Sequence, residues 1–356
     1  MVDQIQLFEG LDFPIFQNRM YDSREAARSC PRGDIRIVQD GSTGLIYNAA
    51  FRSDLMTYDA AYQNEQAHSP SFKSHLEEVA IIVERTLGRT GLVEVGCGKA
   101  YFLELLQSRG CTITGFDPTY EGRNPAVEKH YFGEDVAVSA RGIVLRHVLE
   151  HVEDPIGFLG GLRDANDGGL IYIEVPCLDW ILEKRAWFDI FYEHVNYFRL
   201  SDFQRLFGHV EEIGHLFGGQ YLYVVADLAS LREPVFNSAD RIEFPPDFLP
   251  TAAFGTGQTP PPRAVWGAAS KGVIYSMLRE RGGVPVEVLI DINPAKCGKF
   301  IPATGLEVMS PGEGIAVLRP DTDILVMNPN YLEEIRDMTG PQFNLIAVDR
   351  FGGSDG

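Results

Sequence analysis

The chain has 356 residues, 45% hydrophobic and 23% charged, the composition of a soluble enzyme and too long for one compact core. No run of about 18 apolar residues occurs, which argues against a membrane span, and the opening MVDQIQLFEG lacks the basic and apolar regions of a secretory signal. A net charge of −19 repels phosphate backbones, so nucleic acid is not expected as a partner. The cysteines (Cys30, Cys97, Cys111, Cys177 and Cys297) are odd in number and form no C-x-x-C pair. That fits reduced thiols in a cytoplasm and argues against a disulfide framework or a zinc ribbon.

Residues 1–70 have weak periodicity, with strand-like pieces at 35–39 and 44–47. They read as an irregular N-terminal arm. FKSHLEEVAIIVERTLG then places Phe72, Leu76, Val79, Ala80, Val83 and Leu87 on one helical face. Strands at 91–95, 111–117, 142–145 and 169–175 alternate with helices that begin near residues 99 and 154, the pattern of a parallel sheet flanked by helices. VEEIGHLFGGQYLYVVADL (210–228) has two apolar runs about a Gly-Gly turn and predicts an antiparallel hairpin closing that sheet. Residues 231–262 are rich in Pro and Gly and read as a linker. A second, smaller α/β unit follows over 263–356, with a glycine turn in VWGAASKG, a helix, and strands near 286–292 and 323–328. The predicted organisation is thus an arm (1–70), an α/β domain (71–230), a linker and a second α/β domain.

EVGCGKA (94–100) sits between a strand and a helix. Gly96 and Gly98 allow close backbone approach to a ligand, and the helix start offers unpaired N–H groups. Asp117 ends the next strand, near the offset expected of a carboxylate that binds ribose hydroxyls. The third glycine of a dinucleotide site is missing, and Glu94 precedes the loop. A carboxylate there suits a cationic sulfonium or ammonium better than a diphosphate. Cys97, Tyr101 and Pro118 flank these residues and are expected beside the same ligand.

The E-x-G-x-G loop, Asp117, the segment RHVLEHVEDP (146–155) and the terminal hairpin together resemble the class I S-adenosylmethionine-dependent methyltransferases. That resemblance implies a Rossmann-like seven-stranded sheet with an antiparallel terminal hairpin, S-adenosyl-L-methionine as cofactor, and Arg146 and His147 beside it. Tyr58 and Tyr62 are read as an arm over the cofactor, with ordinary packing as the other reading. Further stretches, CPRGDIRIVQ, GLIYN, YEHVNYF and VWGAASKG, resemble the sugar-nucleotide C-methyltransferases of deoxysugar biosynthesis. Those proteins have an N-terminal zinc-binding part and a C-terminal Rossmann-like domain. One of the family's zinc pairs falls here on Asp40 and Thr43, and residues 6–20 hold no cysteine, so the arm is expected to have lost its metal. No metal ligand is assigned elsewhere.

EKRAWFDIFYEHVNYF (183–198) sets Glu193 and His194 among aromatics. Histidine is the natural base near neutral pH. The resemblance ties the Glu-His pair to substrate binding and proton removal. His194 is therefore read as general base, Glu193 as substrate holder, and Tyr192 and Tyr197 as pocket walls; His147 and His151 are rival bases, and a purely structural pair is the plain alternative. Adjacent strand residues face opposite ways, so both can act only if the segment turns. Lys271 and Ser270 are expected at the diphosphate of a nucleotide-sugar acceptor. O-methylation of a hydroxyl, a nicotinamide-dependent oxidoreductase using the C-terminal unit, and a non-catalytic cofactor-binding protein remain as alternatives.

Overall fold

A computed structural model describes residues 4–56, 68–133, 136, 139–249 and 262–350. In chain order the N-terminal part holds strand β1 (Gln4–Pro14), helix α1 (Arg24–Arg28), and strands β2 (Arg32–Asp40) and β3 (Ile46–Asn48). Next come α2 (Pro70–Thr86), β4 (Leu92–Val95), α3 (Tyr101–Ser108), β5 (Ile113–Phe116), β6 (Val127–Glu128) and β7 (Gly142–Arg146). These lead to α4 (Pro155–Asn166), β8 (Leu170–Pro176), α5 (Leu178–Glu183), β9 (Asn196–Tyr197), α6 (Leu200–Leu206), β10 (Val210–Leu216) and β11 (Tyr221–Asp227). The C-terminal part holds β12 (Ala264–Trp266), α7 (Ser270–Arg281), β13 (Val288–Ile290), β14 (Val308–Met309), α8 (Pro311–Val317), β15 (Asp323–Val326), α9 (Leu332–Thr339) and β16 (Asn344–Ala347).

The central sheet has seven strands in the order β10-β11-β8-β7-β4-β5-β6. Five are parallel, and β11 lies antiparallel between β8 and β10. This is the mixed seven-stranded α/β sheet with its closing hairpin. Its central strands are apolar throughout, with Ile143, Val144, Leu145, Ile171 and Ile173 fully buried, because helices cover parallel strands on both faces. Two of the flanking helices start at clear side-chain caps. Ser69 caps α2 by accepting from the Phe72 N–H, and Asp154 caps α4 by accepting from the Gly157 N–H, each followed at once by proline. The chain leaves β4 toward β5 on one side and meets β7 on the other. Such a reversal opens a crevice at the carboxyl end of β4.

The C-terminal sheet, order β14-β13-β12-β15-β16, is parallel throughout. It repeats the same device, with β12 at its own reversal. Ties between the two α/β units include aromatic contacts, such as Phe217 with Tyr331 and Trp187 with Tyr275, and specific polar ones. The side-chain amides of Gln220 and Asn328 pair with each other at 3.2 Å, and Ser69 Oγ donates to Glu334 Oε2 at 2.6 Å. The two carboxyl ends are thereby held across one cleft.

Residues 4–50 are not an irregular arm. They form a four-stranded antiparallel sheet, β1-β2-β3-β9, whose last strand comes from residues 196–197. Register shifts between Gln6 and Phe8 and between Gly10 and Phe13 break the alternation along β1, which hides the strand from a period-two reading. The described half of the Pro-rich segment is also packed rather than free. Phe244 stacks on Phe8 at 5.7 Å and Phe248 meets it edge-on at 5.8 Å, and Arg205 pairs with Asp240 at 2.9 Å.

Asp40 and Thr43 are joined by hydrogen bonds across the turn between β2 and β3. Asp40 Oδ1 accepts from the N–H groups of Ser42 and Thr43, both at 2.8 Å, and from both hydroxyls. Partial burial opposes the charge on Asp40, but these donors outweigh it and hold the carboxyl below its ordinary range. Its stabilising effect is therefore present at neutral pH and is lost as the pH falls through that lowered value. Asp40→Ala is expected to weaken the turn by about 1–2 kcal/mol, the scale of a lost cap. Faster amide exchange across β2 and β3 at pH 7 checks this, and the difference from wild type should close in acid.

Candidate active site

A cleft of about 380 Å³ lies where the carboxyl ends of the two sheets face each other. Its central-domain wall begins at the glycine loop. Gly96 has φ +72°, and a Cβ there would stand 2.4 Å from Val148 Cγ2, so only glycine lets the loop pass the next strand's turn. Gly98 also has positive φ, but a Cβ there would meet nothing within 4 Å; the loop faces open space. Ala100, at the start of α3, is held at φ +65° with no side chain capping the helix, which leaves N–H groups of its first turn toward the cleft.

Glu94 is the penultimate residue of β4, at 3% exposure. Burial above all, with Asp117 adding repulsion and Arg146 opposing, pushes its carboxyl up to about 8. Its Oε2 is buried with no hydrogen-bond partner among the described residues. An unsatisfied buried carboxyl oxygen at the cleft wall is costly unless a donor or cation arrives. The residues therefore fit a ligand carrying an ammonium or sulfonium. Cys97, Gly98 and Tyr101 line the cleft with Glu94 and Gly96, and so do Arg146 and His147. The Arg146 guanidinium lies 4.7 Å above the Phe102 ring.

Asp117 and Pro118 do not line it. Both Asp117 oxygens are occupied within the protein: Oδ2 accepts from the Gly98 N–H at 2.8 Å, and Oδ1 from the Thr119 N–H and hydroxyl. Asp117 thus shapes the glycine loop. The C-terminal sheet makes the same clamp, since Asp291 Oδ2 accepts from the Ala268 N–H and Oδ1 from the Asn293 N–H, each at 2.8 Å. Tyr58 and Tyr62 lie outside the described residues.

Beneath the loop lies a cluster that sequence reading missed. Glu174 is fully buried, and its Oε1 accepts from His75 Nε2 (3.1 Å), Arg146 Nη2 (3.1 Å) and His147 Nε2 (2.9 Å), while Tyr172 donates its hydroxyl to Oε2 (2.8 Å). Burial would raise this carboxyl, but Arg146, His147 and His75 together hold it well below the carboxylate range. The available signal was an acid inside an otherwise apolar central strand, LIYIEVP. His147 also approaches Glu150 Oε1 through Nδ1 at 3.3 Å. Burial alone would depress His147; its bonds to Glu150 and Glu174 win and raise it to about 9. A charged imidazolium at neutral pH is no base, which removes His147 from that role.

Phe191 to His194 form a turn, with the His194 N–H donating to the Phe191 carbonyl at 3.2 Å. The turn brings both Glu193 and His194 to the cleft. Glu193 Oε2 accepts from the Gln17 N–H at 3.0 Å. His194 is 8% exposed, with its ring 4.1 Å from Phe191 and 5.0 Å from His151. Burial, then the neighbouring His151, His147 and Lys271, holds its imidazole well below the ordinary value, hence neutral. Tyr192 and Tyr197 are not in this wall. The Tyr192 hydroxyl accepts from the Arg52 N–H at 2.9 Å against the N-terminal sheet, and Tyr197 donates to the Phe191 carbonyl at 3.2 Å. Ser270 and Lys271 line the opposite wall at the start of α7. Ser270 Oγ accepts from Asn18 Nδ2 at 2.9 Å; Lys271 pairs with Asp189 at 2.7 Å and lies 5.1 Å from the Trp180 ring.

Residues 70–210 match the family model of a methyltransferase domain. With its seven-stranded sheet and glycine loop, this part of the chain is a class I S-adenosylmethionine-dependent methyltransferase domain, and S-adenosyl-L-methionine is its cofactor. Among curated proteins, the chain is similar to the C-methyltransferase NovU of Streptomyces niveus, 28% identical over 167 residues. That match covers 41% of this chain and 39% of the relative, less than half of either. Magnesium protoporphyrin IX methyltransferase of Synechocystis PCC 6803, solved with bound SAH, is 12% identical, covering 48% of this chain and 89% of that one at a TM-score of 0.35. A SAM dependent methyltransferase of Archaeoglobus fulgidus is 19% identical, covering 43% and 94%, at a TM-score of 0.31.

His147 yields a test of the buried cluster. Its raised value means that its stabilisation is complete below about pH 6.5, the ordinary histidine value, and is lost as the pH rises through about 9. Asn tolerates the φ of +52° at this position. The gap in melting temperature between wild type and His147→Asn should therefore be largest at pH 6 and shrink by pH 9.5, as scanning calorimetry can measure.

Proposed function

We propose that the protein transfers the methyl group of S-adenosylmethionine to carbon beside a ketone in a small carbohydrate-derived acceptor, a nucleotide-linked sugar, with His194 as general base. The observation that carries this reading is a buried, neutral imidazole on the cleft wall opposite the glycine loop. The similarity to a C-methyltransferase over part of the chain favours carbon over oxygen as the methylated atom.

Bound S-adenosylmethionine supplies an electrophilic methyl group. His194 takes a proton from the acceptor carbon. The electron pair left behind forms the new carbon–carbon bond as the carbon–sulfur bond breaks, and the proton passes from His194 to water. A base of lowered pKa is weak, so the acceptor must be made more acidic. The charged imidazolium of His147 lines the same cleft and stabilises the negative charge that develops on the ketone oxygen. Glu193 holds an acceptor hydroxyl. Ser270 and Lys271, at the start of a twelve-residue helix, hold the diphosphate. The clamped glycine turn of the C-terminal sheet faces this same space, which supports a role in acceptor binding over separate redox chemistry.

His194→Asn is expected to lower kcat by about 10²–10⁴ with cofactor affinity retained. The wild-type acid limb should fall below the ordinary histidine value of about 6.5, because only the neutral form is active and its pKa is depressed. Turnover with a panel of nucleotide-linked ketosugars, read by product mass and methyl carbon shift, checks both the base and the methylated atom. Unchanged turnover in the variant contradicts the assignment.

A further inference from the structure

We propose that Glu150, His151 and His194 form a binding site for one divalent transition-metal ion of the zinc class. Glu150 and His151 lie on a single 3-10 turn after β7, and His194 ends the turn before β9. All three line the cleft, and their donor atoms lie within 4.8 Å of one another. Metal–ligand bonds of about 2.1 Å put tetrahedral donors roughly 3.4 Å apart, so modest side-chain rotation closes the set.

Independent features point to an ion. Glu150 is 1% exposed, and its Oε2 is buried without a hydrogen-bond partner among the described residues. His151 Nδ1 lies 2.8 Å from the Glu193 carbonyl oxygen, to which it can only donate. That fixes the tautomer in which Nε2 carries a bare lone pair, as in metal-binding histidines. His147 orients the Glu150 carboxylate from behind through its other oxygen. Two imidazoles and one carboxylate suit zinc, iron, cobalt or nickel, whereas magnesium and calcium prefer oxygen. Three protein ligands leave one position open, and here it faces the cleft.

The ion would occupy the His194 lone pair that takes the acceptor proton, so it competes with catalysis. That consequence rests on His194 being the base; the binding of the ion does not.

The test is calorimetric titration of the full chain, stripped with a chelator, with zinc chloride, and cobalt(II) absorption on the same sample. One ion per chain is expected, with a cobalt spectrum free of thiolate charge transfer. Glu150→Gln and His151→Asn should each weaken binding by more than the roughly 10- to 100-fold that outer-shell changes cost, with near-UV circular dichroism confirming the fold. Both variants keep the exposed His209–Glu211 and His130–Glu128 pairs, which separates surface binding from this site. No bound equivalent, a thiolate spectrum, or wild-type affinity in His151→Asn overturns the site. Zinc should also inhibit methyl transfer by the wild type. If zinc binds as described while turnover ignores both zinc and His194→Asn, the ion site stands and the base falls.

Discussion

Four donors converge on the buried carboxylate of Glu174, and the cleft depends on that convergence. His75 reaches it from α2, Arg146 and His147 from the end of β7, and Tyr172 from its own strand. Removing one partner of a buried ion pair costs about 3–5 kcal/mol, because the remaining charge is stranded. The network therefore fixes where β7 ends and turns. It holds His147 at a positive φ that most residues avoid, and it places Arg146 over Phe102 on the first turn of α3. The turn bearing Glu150 and His151 follows directly from this point, with His147 also bonded to Glu150.

Above the network, two α/β sheets present the same construction to each other. In each, an acid at the end of the second strand accepts from an N–H of the turn that follows the first, Asp117 from Gly98 and Asp291 from Ala268. The clamp shapes a turn at the reversal of strand order, where open α/β sheets form their crevices. One crevice carries the unsatisfied carboxyl of Glu94 and suits a cation; the other carries Lys271 and Ser270 and suits an anion. A methyl donor with a positive sulfur answers to the first crevice, and the diphosphate proposed for the acceptor would turn to the second.

Much of this was legible in the residues. The central strands are unbroken apolar runs, the helices have caps and stops, and Gly96, Gly98 and Glu94 declare a ligand loop by type and spacing. Other parts were hidden for physical reasons. The bulges in β1 erase its alternation, and β9 is two residues long and gains its meaning only by pairing with β3. The offset of Asp117 from the loop suggests a ribose ligand, but its position in sequence does not show that it also accepts from the Gly98 N–H and the Thr119 N–H and hydroxyl. Tyr192 and His194 are two residues apart, yet the turn sends one to the N-terminal sheet and the other to the cleft. The Glu174 cluster joins residues up to 99 positions apart, beyond the reach of any local pattern.

The central claim is that Glu94 waits for the cation of the methyl donor. At pH 7 its carboxyl, raised to about 8, is largely protonated, and a bound ammonium or sulfonium should drive the proton off. Titration of the wild-type chain with S-adenosylmethionine, by calorimetry in two buffers of different ionisation enthalpy, measures this directly. The account predicts one site per chain, release of about one proton on binding, and loss of that release in Glu94→Gln. No binding heat, or the same proton count in the variant, would contradict it.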